Sequence, residues 1–211
     1  MKWQDLLVKA GNEPVFTAGF LASGTTRLAN VRLQLSRWTR AGKLIQLRRG
    51  VYSLADPYRK VQPEPFLLAN ALKPASYVSL QSALAYYGMI PEYVPVVTSV
   101  TTGRPEEVDT PLGRFLYRHV KTSWFFGYRQ VELTSGQVAF IALPEKALLD
   151  LAYLTAGTAS EDYWQQLRLQ NLQNLNIEQV ADWARQEGGR KLKQVIRHID
   201  FHATREEGED L

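Results

Sequence analysis

The fold of the first part of the chain is decided by residues 37–54, RWTRAGKLIQLRRGVYSL. A basic amphipathic helix ends at Ala41-Gly42. Two short runs of alternating apolar and polar residues follow, separated by Arg48-Arg49-Gly50. A helix that breaks into a small β-ribbon with arginines near its tip is typical of a winged helix-turn-helix, in which one helix reads a DNA groove and the ribbon straddles the backbone. The pattern predicts an N-terminal DNA-binding module.

Basic residues are concentrated at the same end of the chain. Residues 1–60 contain 11 Lys or Arg against 3 Asp or Glu, whereas residues 61–211 contain 14 against 18. Binding to DNA releases counterions most effectively where positive charge is concentrated on one face, so the net charge of +8 over residues 1–60 favours DNA contact there. The rest of the chain is predicted to bind something else, or to bind nucleic acid less strongly.

The composition, 45% apolar and 22% charged, is that of an ordinary globular protein. No apolar run approaches the roughly 18 to 20 residues that span a bilayer, and the N-terminal MKWQDLLVKAG lacks the apolar segment of a signal peptide. Cysteine is absent, which excludes disulfides, a thiolate nucleophile and cysteine-ligated zinc. We expect a cytoplasmic protein with no membrane partner.

Apolar periodicity predicts an α+β fold in two domains. Residues 1–57 form the winged helix-turn-helix, 58–65 a linker, and 66–211 a mixed α/β domain whose last third is helical. The predicted helices are 3–10, 17–21, 26–41, 66–73, 80–87, 144–154, 161–171, 176–187 and 190–201. The predicted strands are 44–47, 51–54, 95–101, 114–120, 127–133 and 137–142.

The third helix offers a face for reading DNA. Its predicted buried stripe is Leu28, Val31, Leu35 and Trp38, which turns Asn30, Leu33, Arg37 and Arg40 outward at 100° per residue. Asparagine can pair with adenine, arginine with guanine, and leucine can pack on a thymine methyl group; flanking and ribbon residues suit phosphates. The predicted DNA-binding set is Thr26, Arg27, Asn30, Arg32, Leu33, Gln34, Arg37, Arg40, Lys43, Arg48 and Arg49. The alternative is a merely solvated face, with Asn30 as a helix cap.

The second domain carries an aromatic cluster, Trp124 to Tyr128, with basic residues near it in sequence. Five consecutive, mostly aromatic residues cannot all face inward on a strand, so the cluster is predicted to pack through two of them. The others are left open between packing and a partner or base-stacking surface. Basic residues near the cluster are predicted to form an effector surface: Arg114, Arg118, Lys121 and Arg129.

No residue of the chain is predicted to be catalytic. His198 and His202 have the i, i+4 spacing of a helical metal site but no carboxylate to complete it, so we expect no metal. Glu145-Lys146 resembles the end of a nuclease motif without its aspartate, and is interpreted as a solvated helix N-terminus. Asp150 is interpreted as a cap or ion-pair residue. Phosphate-binding loops and nucleophile elbows are absent, so we expect a protein without cofactor or enzymatic activity.

Three segments resemble the AbiEi-type antitoxins of type IV toxin–antitoxin pairs. They are NVRLQLSRWTRAGKLIQLRRGVYSL (Asn30 to Leu54), YVSLQSALAYYGMIPE (Tyr77 to Glu92) and ALPEKALLDLAYL (Ala142 to Leu154). The resemblance implies a winged helix followed by an effector domain, and repression of the protein's own operon through inverted repeats in double-stranded DNA. It also implies neutralisation of an AbiEii-type, nucleotidyltransferase-like toxin without a stable complex. One departure is Tyr86-Tyr87, where relatives often carry a histidine.

Two other classes of protein fit parts of the sequence. A ligand-responsive winged-helix regulator would bind a small molecule in its β-rich middle. A nucleic-acid-acting enzyme with a winged-helix targeting domain would need a carboxylate cluster, which the second domain does not offer in sequence.

Overall fold

The computed structural model describes residues 1–22 and 27–187, together with Leu192 and Ile196. This part of the chain is an α+β protein with eight α-helices and two β-sheets, which agrees with the predicted class. None of its helices is long and apolar enough to cross a bilayer.

The N-terminal unit packs three helices against a small antiparallel sheet of order β1-β3-β2. Its elements are α1 (Trp3–Ala10), β1 (Phe16–Thr17), α2 (Ala18–Leu21), α3 (Leu28–Arg40), β2 (Leu44–Arg48) and β3 (Val51–Leu54). Thr17 caps α2, because its hydroxyl accepts a hydrogen bond from the Phe20 amide at 3.1 Å. Strand β1 was not predicted: two residues are too few for a pattern, and pairing with β3 defines them.

The structure of helix α3 shows that two predictions, the burial of Leu28 and the cap at Asn30, are wrong. Val31 and Leu35 are fully buried and Trp38 packs on Trp3 with ring centroids 5.2 Å apart, but Leu28 is 37% exposed because it opens the first turn. Asn30 lies inside the helix, so it is not the cap; Arg27 occupies that position. The sequence leaves the cap of this helix open between Thr25, Thr26 and Asn30, and the first two lie outside the described residues.

The predicted linker is fastened to both units. The Tyr58 ring contacts Trp3 at 5.1 Å. The Gln137 side chain donates a hydrogen bond to the Gln62 carbonyl at 2.7 Å and accepts one from the Glu64 amide at 2.9 Å. The segment ends one residue earlier than predicted, since the next helix already begins at position 65.

The second unit contains a six-stranded mixed sheet of order β6-β7-β5-β4-β9-β8. Its elements are α4 (Pro65–Leu72), β4 (Ser76–Val78), α5 (Leu80–Tyr86), β5 (Val96–Thr101), β6 (Glu106–Thr110), β7 (Gly113–His119), β8 (Tyr128–Glu132), β9 (Val138–Ala142), α6 (Pro144–Leu154), α7 (Glu161–Leu167) and α8 (Ile177–Glu187). Strands β5 and β7 pair in parallel, as do β4 and β9, and the other pairs are antiparallel.

Three elements of this unit differ from prediction. Strand β4 was not predicted, because three residues are too few for a pattern, and pairing with β5 and β9 defines it. The polar strand β6 was missed because EEVDT has no apolar alternation, and it forms by pairing with β7. Helix α7 ends at Leu167, before the predicted 171, because Arg168 and Asn171 adopt left-handed backbone conformations with φ of 48° and 58°. The predicted helix 190–201 lies outside the described residues except for Leu192 and Ile196, which contact the larger core.

Helices cover both faces of the six-stranded sheet. On one face the Tyr117 hydroxyl donates to the Ala69 carbonyl of α4 at 2.7 Å, and on the other Tyr77 reaches α6. The larger core also takes in Leu47 and Val51 of the N-terminal sheet. The two units are therefore joined by buried apolar contact as well as by the connecting segment.

Candidate functional site

The outward face of α3 is exposed as predicted. Leu33, with 53% of its surface accessible, lies on this face beside Asn30, Arg37 and Arg40. The flanking residues Arg27 and Arg32 are also exposed, and Gln34 is half-buried. Thr26 lies outside the described residues.

The arginines of this surface have no partner among the residues that the structure describes. Within the described part of the chain, no ion pair or side-chain hydrogen bond involves the exposed arginines Arg27, Arg32, Arg37, Arg40 and Arg49. The cause lies in the sequence, because no Asp or Glu occurs between Glu13 and Asp56. Several arginines elsewhere are paired with carboxylates, as Arg168 is with Glu92 and Arg185 with Asp182.

Two predicted ribbon contacts are directed inward instead. The Lys43 ammonium lies 5.0 Å from the Trp3 ring centroid and 5.9 Å from that of Tyr58, so it joins an internal cation–π contact. Arg48 donates to the Leu72 carbonyl at 2.9 Å and pairs with Glu106 at 3.0 Å. The Arg48-Arg49 pair is thus divided, since the partly exposed Arg48 is bound within the fold whereas Arg49 is exposed and unpaired among the described residues.

Glu106 receives two cations. A hydrogen bond from Lys73, followed by one from Arg48, lowers the pKa of the Glu106 carboxyl below its usual value. Lys73 also donates to the Arg104 carbonyl at 3.0 Å. The hairpin tip is therefore attached to α4 and to the beginning of β6.

The predicted effector residues do not form one patch. Arg114 and Arg118 share strand β7, but Arg114 pairs with Glu107 and Asp109, and Arg118 donates to the Leu154 carbonyl. Arg129 lies on β8, and β5, β4 and β9 separate it from β7. With strands about 4.8 Å apart, the separation is about 19 Å. The fourth member, Lys121, is exposed just after β7.

Sequence reasoning missed a buried ionic network in α6. Lys146 and Asp150 are fully buried and form an ion pair. Asp150 also accepts hydrogen bonds from the Tyr77 hydroxyl at 3.0 Å, the Ser79 hydroxyl at 2.7 Å and the Trp124 indole at 2.8 Å. Burial, followed by the Asp150 charge, strongly raises the pKa of the Tyr77 hydroxyl.

The interpretation of Glu145-Lys146 as solvated is wrong, because both side chains are buried. Glu145 accepts a hydrogen bond from the Asn176 amide just before α8 at 3.0 Å. Asp150 is an ion-pair residue as interpreted. The sequence feature that could have indicated the buried ion pair is the i, i+4 spacing of Lys146 and Asp150 on a mostly apolar helix.

The aromatic cluster packs around the Lys146 ammonium. The ammonium lies 4.3 Å from the centroid of the buried Trp124 ring and 5.1 Å from that of Phe126. Gly127 is required here: its φ is +72°, and an added Cβ would lie 3.0 Å from the Lys146 side chain. Phe125 and Tyr128 are half-buried and pack on Tyr77. The cluster is mainly a packing feature.

No group of three or more potential metal ligands occurs among the described residues. His119 is exposed, with Nδ1 2.9 Å from the Gly103 carbonyl, whereas His198 and His202 lie outside the described part of the chain. A cleft of about 410 Å³ opens beside β5, with polar lining from Gln81, Glu92, Tyr93, Tyr163 and Gln166.

Comparison with known proteins gives information on the fold alone. The chain matches no protein-family profile and no curated protein sequence. The crystal structure of the RV2827C protein from Mycobacterium tuberculosis is similar to it with a TM-score of 0.55 and 12% identity, over 93% of this chain and 76% of that chain. This similarity extends over both units.

Proposed function

We propose that the protein is a DNA-binding antitoxin and transcriptional autorepressor. The observation that carries the DNA-binding part is the exposed face of α3, with arginines that have no partner within the described residues, in a stretch without carboxylates. Such a face can bind DNA phosphates without first breaking an ion pair within the described residues, and the counterions that DNA releases favour the contact. Asn30 and Leu33 on the same face supply chemistry for reading bases.

The order of elements supports a winged helix-turn-helix. Helices α1, α2 and α3 are followed by the hairpin of β2 and β3, an order that supports α3 as the recognition helix and the hairpin as the wing. Arg49 at the exposed tip remains the wing's phosphate contact.

The antitoxin part rests on the resemblance of three segments to AbiEi-type antitoxins. In the structure the second and third segments form β4, α5 and α6, which meet at Asp150. They form part of the buried core of the second unit, so the resemblance concerns its architecture. Rescue of growth on co-expression with an adjacent nucleotidyltransferase-like toxin tests this part, and an absence of rescue would contradict it.

DNA binding is tested with the full chain and duplexes from upstream of its own reading frame. We expect Arg37→Ala/Arg40→Ala to weaken binding about 60-fold at about 0.1 M salt, since counterion release contributes about 8-fold under those conditions for each positive charge that the protein brings to the DNA. Arg168→Ala/Arg185→Ala in the second unit is the matched control, because it also removes two exposed arginines. Equal affinities for all three proteins would contradict the assignment of α3.

A second candidate, the ligand-responsive regulator, is favoured by the cleft beside β5. Two tyrosines, two glutamines and a carboxylate suit a small polar molecule with a planar ring. A thermal-shift screen of such compounds separates the candidates: stabilisation that Gln81→Ala and Tyr163→Ala abolish would favour the regulator.

A further inference from the structure

We propose that the DNA-binding surface continues from the hairpin tip onto the second unit, where Arg104 contacts the phosphate backbone beside Arg49. The inference rests on the DNA-binding function proposed above and adds a partner surface outside the winged helix. The contact is with phosphates and is therefore independent of base sequence.

The hairpin tip does not extend freely into solvent. Arg48 binds Glu106 and the end of α4, and the neighbouring Leu47 and Val51 are buried in the larger core. A wing that lies along the DNA backbone therefore brings the adjoining part of the second unit to the duplex with it. A winged helix on a flexible tether would not do so.

The segment brought closest is the turn that precedes β6. Lys73 contacts the same Glu106 oxygen as Arg48 and donates to the Arg104 carbonyl at 3.0 Å. The backbone of this turn is thus linked to the Arg48 guanidinium through two intervening side chains, those of Lys73 and Glu106. The side chains of Arg104 and Arg49 are both exposed, and neither has an ion-pair partner among the described residues.

The local charges favour a polyanion. Glu106 is neutralised by Lys73 and Arg48, so this group of three residues retains a net positive charge. The next acidic residues along β6, Glu107 and Asp109, lie on the opposite face of the strand because successive side chains alternate, and Arg114 binds both. Their charge is directed away from the wing.

The proposal is tested by titrating the full chain with its upstream duplex and with an unrelated 30-bp duplex at several salt concentrations. We expect Arg104→Ala to weaken binding to both duplexes about 8-fold at about 0.1 M salt. The slope of log K against the logarithm of the salt concentration should decrease in magnitude by about 0.9. Arg104→Lys should retain the slope. Arg185→Ala should behave like the unmodified chain, and the melting temperature of Arg104→Ala should not change.

The outcomes separate the two proposals. Weakened binding by Arg37→Ala/Arg40→Ala with unchanged affinity and slope for Arg104→Ala would overturn the extended surface alone. An equal loss for Arg104→Ala and Arg185→Ala would overturn it as well, because the effect would then be one of net charge. Absence of DNA binding by the unmodified chain would overturn both proposals.

Discussion

Helices α3 and α6 have 13 and 11 residues, both carry basic side chains, and they use them in opposite ways. In α3 the arginines are exposed and unpaired within the described residues, while in α6 Lys146 is inside the fold with Asp150 and a set of aromatic rings. A buried charge must be fully partnered or its desolvation is not compensated, whereas an exposed charge remains available. The comparison separates cations that hold the fold from cations offered to a ligand.

The largest expected effect is on the α6 side of this comparison. Asp150→Ala leaves the Lys146 ammonium and three hydrogen-bond donors buried without their acceptor, and we expect a loss of about 3 to 5 kcal/mol in the free energy of unfolding. Lys146→Met should cost less, because Asp150 keeps the hydrogen bonds from Tyr77, Ser79 and Trp124. Urea denaturation measures both.

The matched control is Asp182→Ala, which breaks an exposed ion pair with Arg185 and should change stability by no more than about 0.5 kcal/mol. An equal loss in the free energy of unfolding for Asp150→Ala and Asp182→Ala would show that the buried network does not stabilise the second unit.

The α3 side of the comparison predicts an effect on specificity. Asn30→Ala should reduce discrimination against a base change at one operator position by about 1 to 3 kcal/mol, because an asparagine that pairs with adenine contributes that much. Stability should remain unchanged, since Asn30 is exposed. Competition between the upstream duplex and its single-base variants measures this, with Gln34→Ala as the control. Unchanged discrimination would remove Asn30 from the reading face.

The smallest expected effect concerns Glu106, which lies between the two units. Its pKa is lowered in the folded state, so its ionised form stabilises the fold above the ordinary glutamate pKa of about 4.3, and this contribution is lost as the pH falls through the folded-state value. We expect Glu106→Gln to cost about 1 kcal/mol at pH 7 and progressively less below about pH 4.

Unfolding measurements between pH 7 and pH 3 check this, with Glu107→Gln as the control on the opposite face of β6. A difference between Glu106→Gln and the unmodified chain that stays constant over this range would contradict a role for the ionised carboxyl.

The sequence was sufficient where local pattern decides the structure. Apolar periodicity placed α3, the hairpin and α6, and the i, i+3, i+7 spacing gave the outward direction of Arg37 and Arg40. It was insufficient where partners lie far apart along the chain. Arg48 finds Glu106 58 residues later, and Asp150 meets Tyr77 across 73 residues. Helical periodicity carries no information on such pairs, which tertiary packing alone brings together.

Burial of the N-terminal sheet against the second unit has a consequence for cooperativity. Leu47 and Val51 share the larger core, and Val15 and Ile45 pack on it. Truncation after position 57 would expose these apolar side chains to water, so the excised fragment would lose stability that the intact chain has. We therefore expect the full chain to melt in one transition, with its two units unfolding together.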